Sequence, residues 1–319
     1  MAHAYPADPT EAALQLFLGW FGAYYARSTT IERSESDGEA LHARIGVARK
    51  WSLSLVAVNT MGAEADLPWE AARAAVEKRL DADGRSVALW VPRGAPLPAA
   101  EPRLSELIMA LDEARTLADG RQEIRRTVST FLRRTSTTGS VVTILGGLSA
   151  HWAQFTSKVP GSFQLNSSQL FRLPFDEEDR KALADRIVLA AGQPEADESQ
   201  TVRAEDAWTV TSLPGWRSCV IGSPKPDTDE ASAGLRRNLR RLLKAALPAL
   251  ETEADARVLV VLGAATYANE EKLSWTLRGM DPSLYAGYDL VCVIADGVVK
   301  PLLQPGRSTM PWDAPLPGR

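Results

Sequence analysis

The run WSLSLVAV at residues 51–58 constrains the fold more than any other. It alternates at first and then turns wholly apolar, as a strand covered on both faces does. Further strands are expected at 40–47, in SVALWVP before Pro92, in SVVTILG at 140–146, around 207–212 and 216–222, and in RVLVVLGA and YDLVCVI. Helical spacing appears between them. Asp8-Pro9-Thr10-Glu11 supplies a cap, a proline at the first helical position and a returning acid, and Leu14, Phe17, Leu18 and Phe21 then share one face. Gly19 and Gly22 in that helix would let another element approach. Other helices are expected from Leu67 to about Leu80, over DEEDRKALADRIVLAA with its acidic first turn, at 231–247, and near 268–278. Asp296-Gly297 between two β-rich runs marks a hairpin.

The class that follows is α/β: two α/β lobes of mixed sheets and βαβ-type units, flanking a more helical central region. An N-terminal lobe is expected over 1–100 and a central helical region over 101–192, with one long helical stretch from about Pro102 to Arg134 broken near Gly120. An acidic, proline-containing linker spans 193–206, a C-terminal lobe 207–304, and a loosely held Pro-rich tail 305–319. Trp51 and Trp216 each open a strand, loop, helix, strand series, a likeness that any two βαβ units share and that an internal repeat would also give.

A net charge of −4 gives no overall attraction to nucleic acid or acidic lipid, so any basic surface is local. Two stretches supply one. LRRNLRRLLKAAL holds Arg236, Arg237, Arg240, Arg241 and Lys244 opposite a leucine stripe, with no acid among them. EIRRTVSTFLRRTSTTGS repeats the theme with Arg125, Arg126, Arg133 and Arg134. Arginine pairs with phosphate and carboxylate through its planar fork, so these nine residues are the candidate polyanion-binding set.

Gly146-Gly147 sits between a strand and an expected helix, the layout of a phosphate-binding turn. No third glycine follows, and no lysine comes before Lys158, so neither the dinucleotide fingerprint nor the P-loop is complete. The pair is read as a structural turn, with an anion-binding turn as its rival. His3, His42 and His151 lack the close-spaced cysteines of a zinc site, and His151 has no nucleophile elbow around Ser149. Cys219 and Cys292 lie in apolar runs and are expected to be buried free thiols, as in a reducing compartment. The helix–strand–strand–helix–strand order of the first lobe is nuclease-like. Asp37 and Glu39 could serve as acids there, but SLSLVAVN carries neither acid nor lysine. Asp255 with Glu270-Glu271-Lys272 has tolerable spacing for a metal-dependent nuclease, though Glu270 and Lys272 open a helix instead of lying in a strand.

No catalytic residue, metal ligand or cofactor is therefore expected, and no run reaches the length of a membrane span. Abundant alanine, arginine and proline suggest a bacterial source. The function read from these residues is a non-catalytic binding or scaffold subunit of a cytoplasmic bacterial complex, contacting nucleic acid or an acidic protein through arginine-rich helices. The rival classes are a nuclease-like or nucleotide-binding enzyme and a stand-alone ligand sensor.

Overall fold

A computed structural model describes residues 5–36, 40–61, 66–146, 155–193, 199–224, 239–262, 277, 279–305 and 310–312. The α/β class is as expected, but the chain divides differently from the two-lobe reading. One unit combines residues 1–90 with 211–319, and the other holds 91–210.

The first unit is built on a mixed six-stranded sheet. Helix α1 (Pro9–Tyr25) starts as the sequence indicates, with the Asp8 carboxylate accepting from the Thr10 N–H and Pro9 in the first turn. A Cβ on Gly22 would stand 3.3 Å from the Arg27 carbonyl oxygen, whereas one on Gly19 would meet nothing within 4 Å. Strands β1 (Thr29–Ser36), β2 (Ala40–Val47) and β3 (Trp51–Asn59) form an antiparallel meander. After β3 come α2 (Leu67–Ala82) and β4 (Val87–Trp90). The later part of the unit contributes β10 (Cys219–Ile221), helix α5 at residues 239–246, β11 (Ala256–Leu262), β12 (Leu290–Ala295) and β13 (Val298–Leu303). The Asp296-Gly297 hairpin joins β12 to β13, with both turn residues at positive φ.

Sheet order is β1-β2-β3-β11-β12-β13, so strands assigned to separate lobes share one sheet. The wholly apolar runs now have a cause. Leu53, Leu55, Ala57, Val258, Val260, Leu262, Leu290, Cys292 and Ile294 pack in one cluster with Leu14, Phe17 and Phe21 of α1. Val56, Leu259, Val261, Val291 and Val293 alternate with them and pack in a second cluster with Leu239, Leu243 and Ala246 of α5. Three central strands are thus covered on both faces, as parallel strands generally are.

The two βαβ-like series are joined through their strands. β3-α2-β4 and β10-α5-β11 exchange partners: β3 lies parallel to β11, and β4 lies parallel to β10.

The second unit corrects the expected helical centre. Helix α3 (Arg103–Asp112) ends early, and Gly120 at φ +84° turns the chain from β5 (Arg115–Thr116) into β6 (Gln122–Ser136), a strand of fifteen residues. Ile124, Val128, Thr130 and Leu132 recur with period two and are mostly β-branched, which favours extended backbone over helix. The remaining elements are β7 (Ser140–Gly146), β8 (Gly161–Ser167), α4 (Glu177–Ala191) and β9 (Ser199–Ser212). Within the unit the sheet runs β9-β6-β8-β7, with β5 beside β6. Residues 199–206, read above as the end of a linker, pair with β6 from Arg133 back to Arg126. One side of the sheet carries Leu132, Phe163, Leu165, Val202 and Ala204 against Leu183 and Ile187 of α4.

The tail is also corrected in part. Trp312 is buried beside Phe21, Tyr25 and Trp51, with ring centroids 5.4, 5.8 and 6.5 Å away.

Candidate functional site

The candidate cations separate into two groups once their surroundings are known. On α5, Arg240, Arg241 and Lys244 are exposed while Leu239, Leu243 and Ala246 are buried. This is the amphipathic division expected of LRRNLRRLLKAAL, at the half that the structure describes. Arg236 and Arg237 lie outside the described residues. Among the described residues, none of the three cations of α5 is ion-paired. Lys244 adds to the Ser283 hydrogen bonds that hold the Asp281 carboxyl below its usual range.

The arginines of the second stretch lie on β6, not on a helix, and Arg125, Arg126 and Arg134 are engaged within the unit. Arg125 donates from Nε to Glu123 at 2.7 Å and from Nη1 to Glu205 at 3.0 Å, and its Nη2 lies 2.7 Å from Asp179. All three guanidinium nitrogens are engaged, which removes Arg125 from the polyanion set. Arg126 stacks its guanidinium 4.6 Å from the Trp208 ring centroid, and burial lowers its pKa. It too serves the interior of the unit. Arg134 donates to the Pro160 carbonyl at 2.8 Å and lies over Phe163. Arg133 is exposed on β6.

Gly146 ends β7 at φ +100°, and a Cβ there would stand 2.5 Å from the backbone of Ser167 and Ser168. Backbone contact with the end of β8 therefore accounts for this glycine. Gly147, His151 and the expected helix after them lie outside the described residues.

Sequence reading missed the buried carboxylates. Glu77 on α2 is fully buried and accepts from the backbone N–H groups of Ala7 and Val220, with Arg73 Nε 3.7 Å away. It ties the segment before α1 to α2 and β10. Its signal was its place beside Val76 and Leu80 on the inward face of α2, one turn after Arg73. Burial pushes its pKa up to about 7, against the hydrogen bonds from Val220 and Ala7 and the charges of Arg73 and Arg217. A raised pKa means the folded state holds the proton more tightly. The resulting stabilisation is complete below the ordinary value of 4.5 and is lost as pH rises through about 7. Stability relative to Glu77→Gln should therefore fall by about 3 kcal/mol between pH 4.5 and pH 8, read by urea unfolding. Parallel pH profiles for the two proteins would contradict this assignment.

Asp206 is equally enclosed. Its Oδ1 accepts from the Phe171 and Arg172 N–H groups, and its Oδ2 accepts from Trp208 Nε1, each at 2.8 Å. Burial raises its pKa. Glu123 accepts from the Phe175 N–H at 2.8 Å as well as from Arg125. These acids hold loops in place.

Residues considered for chemistry are otherwise engaged or outside the described set. Asp255 accepts from Ser52 N and Oγ at 2.8 and 3.2 Å. Glu270, Lys272, Asp37 and Glu39 fall outside the described residues. Strand β3, WSLSLVAVN, carries no acid or lysine. Cys219 and Cys292 are free and buried, and burial raises both thiol pKa values, Cys219 well above the ordinary value. Among the described residues no group of three or more His, Cys, Asp or Glu could hold a metal ion, and no helix is long and apolar enough to cross a membrane. No family model, curated protein or solved structure matches the chain.

Proposed function

We propose that this chain is a non-catalytic binding subunit of an intracellular bacterial complex, and that it contacts nucleic acid or an acidic protein surface through the solvent face of α5. The observation that carries the reading is the division of α5. Its leucines pack in the core, while Arg240, Arg241 and Lys244 are exposed and form no salt bridge among the described residues, Lys244 acting on Asp281 only at longer range. Exposed unpaired cations on a rigid helix attract phosphate and carboxylate in a salt-sensitive way. The net charge of −4 makes this patch a local exception, not part of a general basic surface. The buried free thiols suit a reducing compartment.

The test is triple charge reversal, Arg240→Glu with Arg241→Glu and Lys244→Glu. All three side chains are exposed, so the fold should survive, as circular dichroism can verify. Retention on double-stranded DNA, RNA and a polyglutamate column at moderate salt should drop at least tenfold for whichever polyanion the wild type holds. Unchanged retention by the folded variant on all three would overturn the proposal. Magnesium- or manganese-dependent cleavage of DNA or RNA by the wild type would favour the enzyme class instead.

A further inference from the structure

We propose that this protein forms a two-fold dimer by antiparallel pairing of β7 with β7 of a second copy. The observation is the outer edge of the second unit's sheet. Among the described residues β7 pairs with β8 alone, and it is the last strand in that sheet's order. An edge strand offers a row of unpaired N–H and C=O groups, and soluble proteins normally protect such a row with charge, proline, bulges or a cover.

The six-stranded sheet of the other unit shows these protections at both ends. Its edge strand β1 carries Glu32, Arg33 and Glu35 and slips register between Ile31 and Arg33. Its other edge strand, β13, carries Lys300 and Pro301 and slips between Val291 and Cys292 on the partner strand. Strand β7, SVVTILG, lacks the charge, proline and register slip found there, and it pairs with β8 over seven residues. Val141 and Leu145 on β7 are 62% and 44% exposed. Phe131 of β6, 43% exposed, lies in the same cross-strand row as Asn166 and Leu145.

The occupant is a second copy because β7 is complementary to itself. Antiparallel pairing centred on Thr143 sets Val141 opposite Leu145 and Val142 opposite Ile144. Every apolar residue then meets an apolar residue across the two-fold, and no like charges face each other. Cross-strand apolar pairs of this kind stabilise a sheet, and a two-fold axis closes the assembly without leaving a new edge at the junction. The sheets of the two copies become one continuous sheet. The pairing does not depend on the cations of α5.

The experiment exploits the two-fold at Thr143, where each copy meets the same residue of the other. Sedimentation equilibrium of the full chain across the micromolar range should give a dimer for the wild type. Thr143→Lys and Thr143→Glu, both at an exposed position, should each sediment as a folded monomer because like charges now face each other. Mixing the two variants in equal amounts should restore the dimer, with one lysine against one glutamate. A monomeric wild type, a dimer unaffected by either variant, or failure of the mixture to reassociate would each overturn the proposal.

Discussion

Replacing Trp312 with alanine is expected to lower stability by about 3–5 kcal/mol, the range for removing a large buried aromatic side chain. The ring is 4% exposed and stands edge-on to Phe21, Tyr25 and Trp51, so its loss opens a void bounded by α1 and the start of β3. The backbone is held as well, since Arg27 donates to the Trp312 carbonyl at 3.3 Å. The indole N–H has no acceptor among the described residues. Trp312→Phe should therefore retain most of the stability, because it keeps aromatic contact and removes a buried donor that gains nothing. Urea unfolding followed by far-ultraviolet circular dichroism measures both variants. A Trp312→Ala loss below about 0.5 kcal/mol, the scale of an exposed site, would show that the tail contributes little to the core.

Removal of the Asp206 carboxylate should have an effect of comparable size in the other unit. In Asp206→Ala, the Phe171 and Arg172 N–H groups and the Trp208 indole N–H all lose their acceptor inside the protein. Arg126 loses the carboxylate that favours its charged form while remaining over Trp208. Orphaned buried donors cost about 1–3 kcal/mol each before relaxation, so a loss of about 3–5 kcal/mol is expected. Asp206→Asn should fall between wild type and alanine. Its carbonyl can still accept from Phe171 and Arg172, but its amide opposes the Trp208 donor. Hydrogen exchange at Phe171 and Arg172 gives the local readout: protection should collapse in the alanine variant and persist in part in the asparagine variant. Unchanged protection in Asp206→Ala would show that the loop is held by other contacts.

Much of the first unit was legible because its signals are local. The cap at Asp8, the apolar face of α1 and the doubly covered run of β3 each declare themselves within a few residues. The partner of β3 did not, because β11 lies some two hundred residues further along the chain and no short pattern records a pairing across that distance. Separate lobes were the natural reading of two βαβ-like series. The exchange of strands between them needed three dimensions.

Strand β6 was misread for a different reason. Arginine pairs at 125–126 and 133–134 suit a helix face, and they drew attention from the alternation of Ile124, Val128, Thr130 and Leu132. Had the strand been recognised, Glu123 two residues before Arg125 would have stood out as a neighbour on the same face. The other two acids on Arg125, Asp179 and Glu205, come from α4 and β9 and leave no local trace. The face of α5 was legible because an amphipathic helix records its own burial in sequence. Leu239 and Leu243 are buried and Arg240, Arg241 and Lys244 are exposed where spacing alone placed them.

The central claim is that the cations of α5 take up a polyanion, and the salt dependence of binding tests it most directly. Each cation that neutralises a phosphate on double-stranded DNA contributes about 0.9 to the slope of log K against log salt concentration. The account predicts steep salt dependence for the wild type, and a slope lower by about 2–3 for the variant reversed at Arg240, Arg241 and Lys244. Equal slopes for the two folded proteins, or binding indifferent to salt, would contradict it.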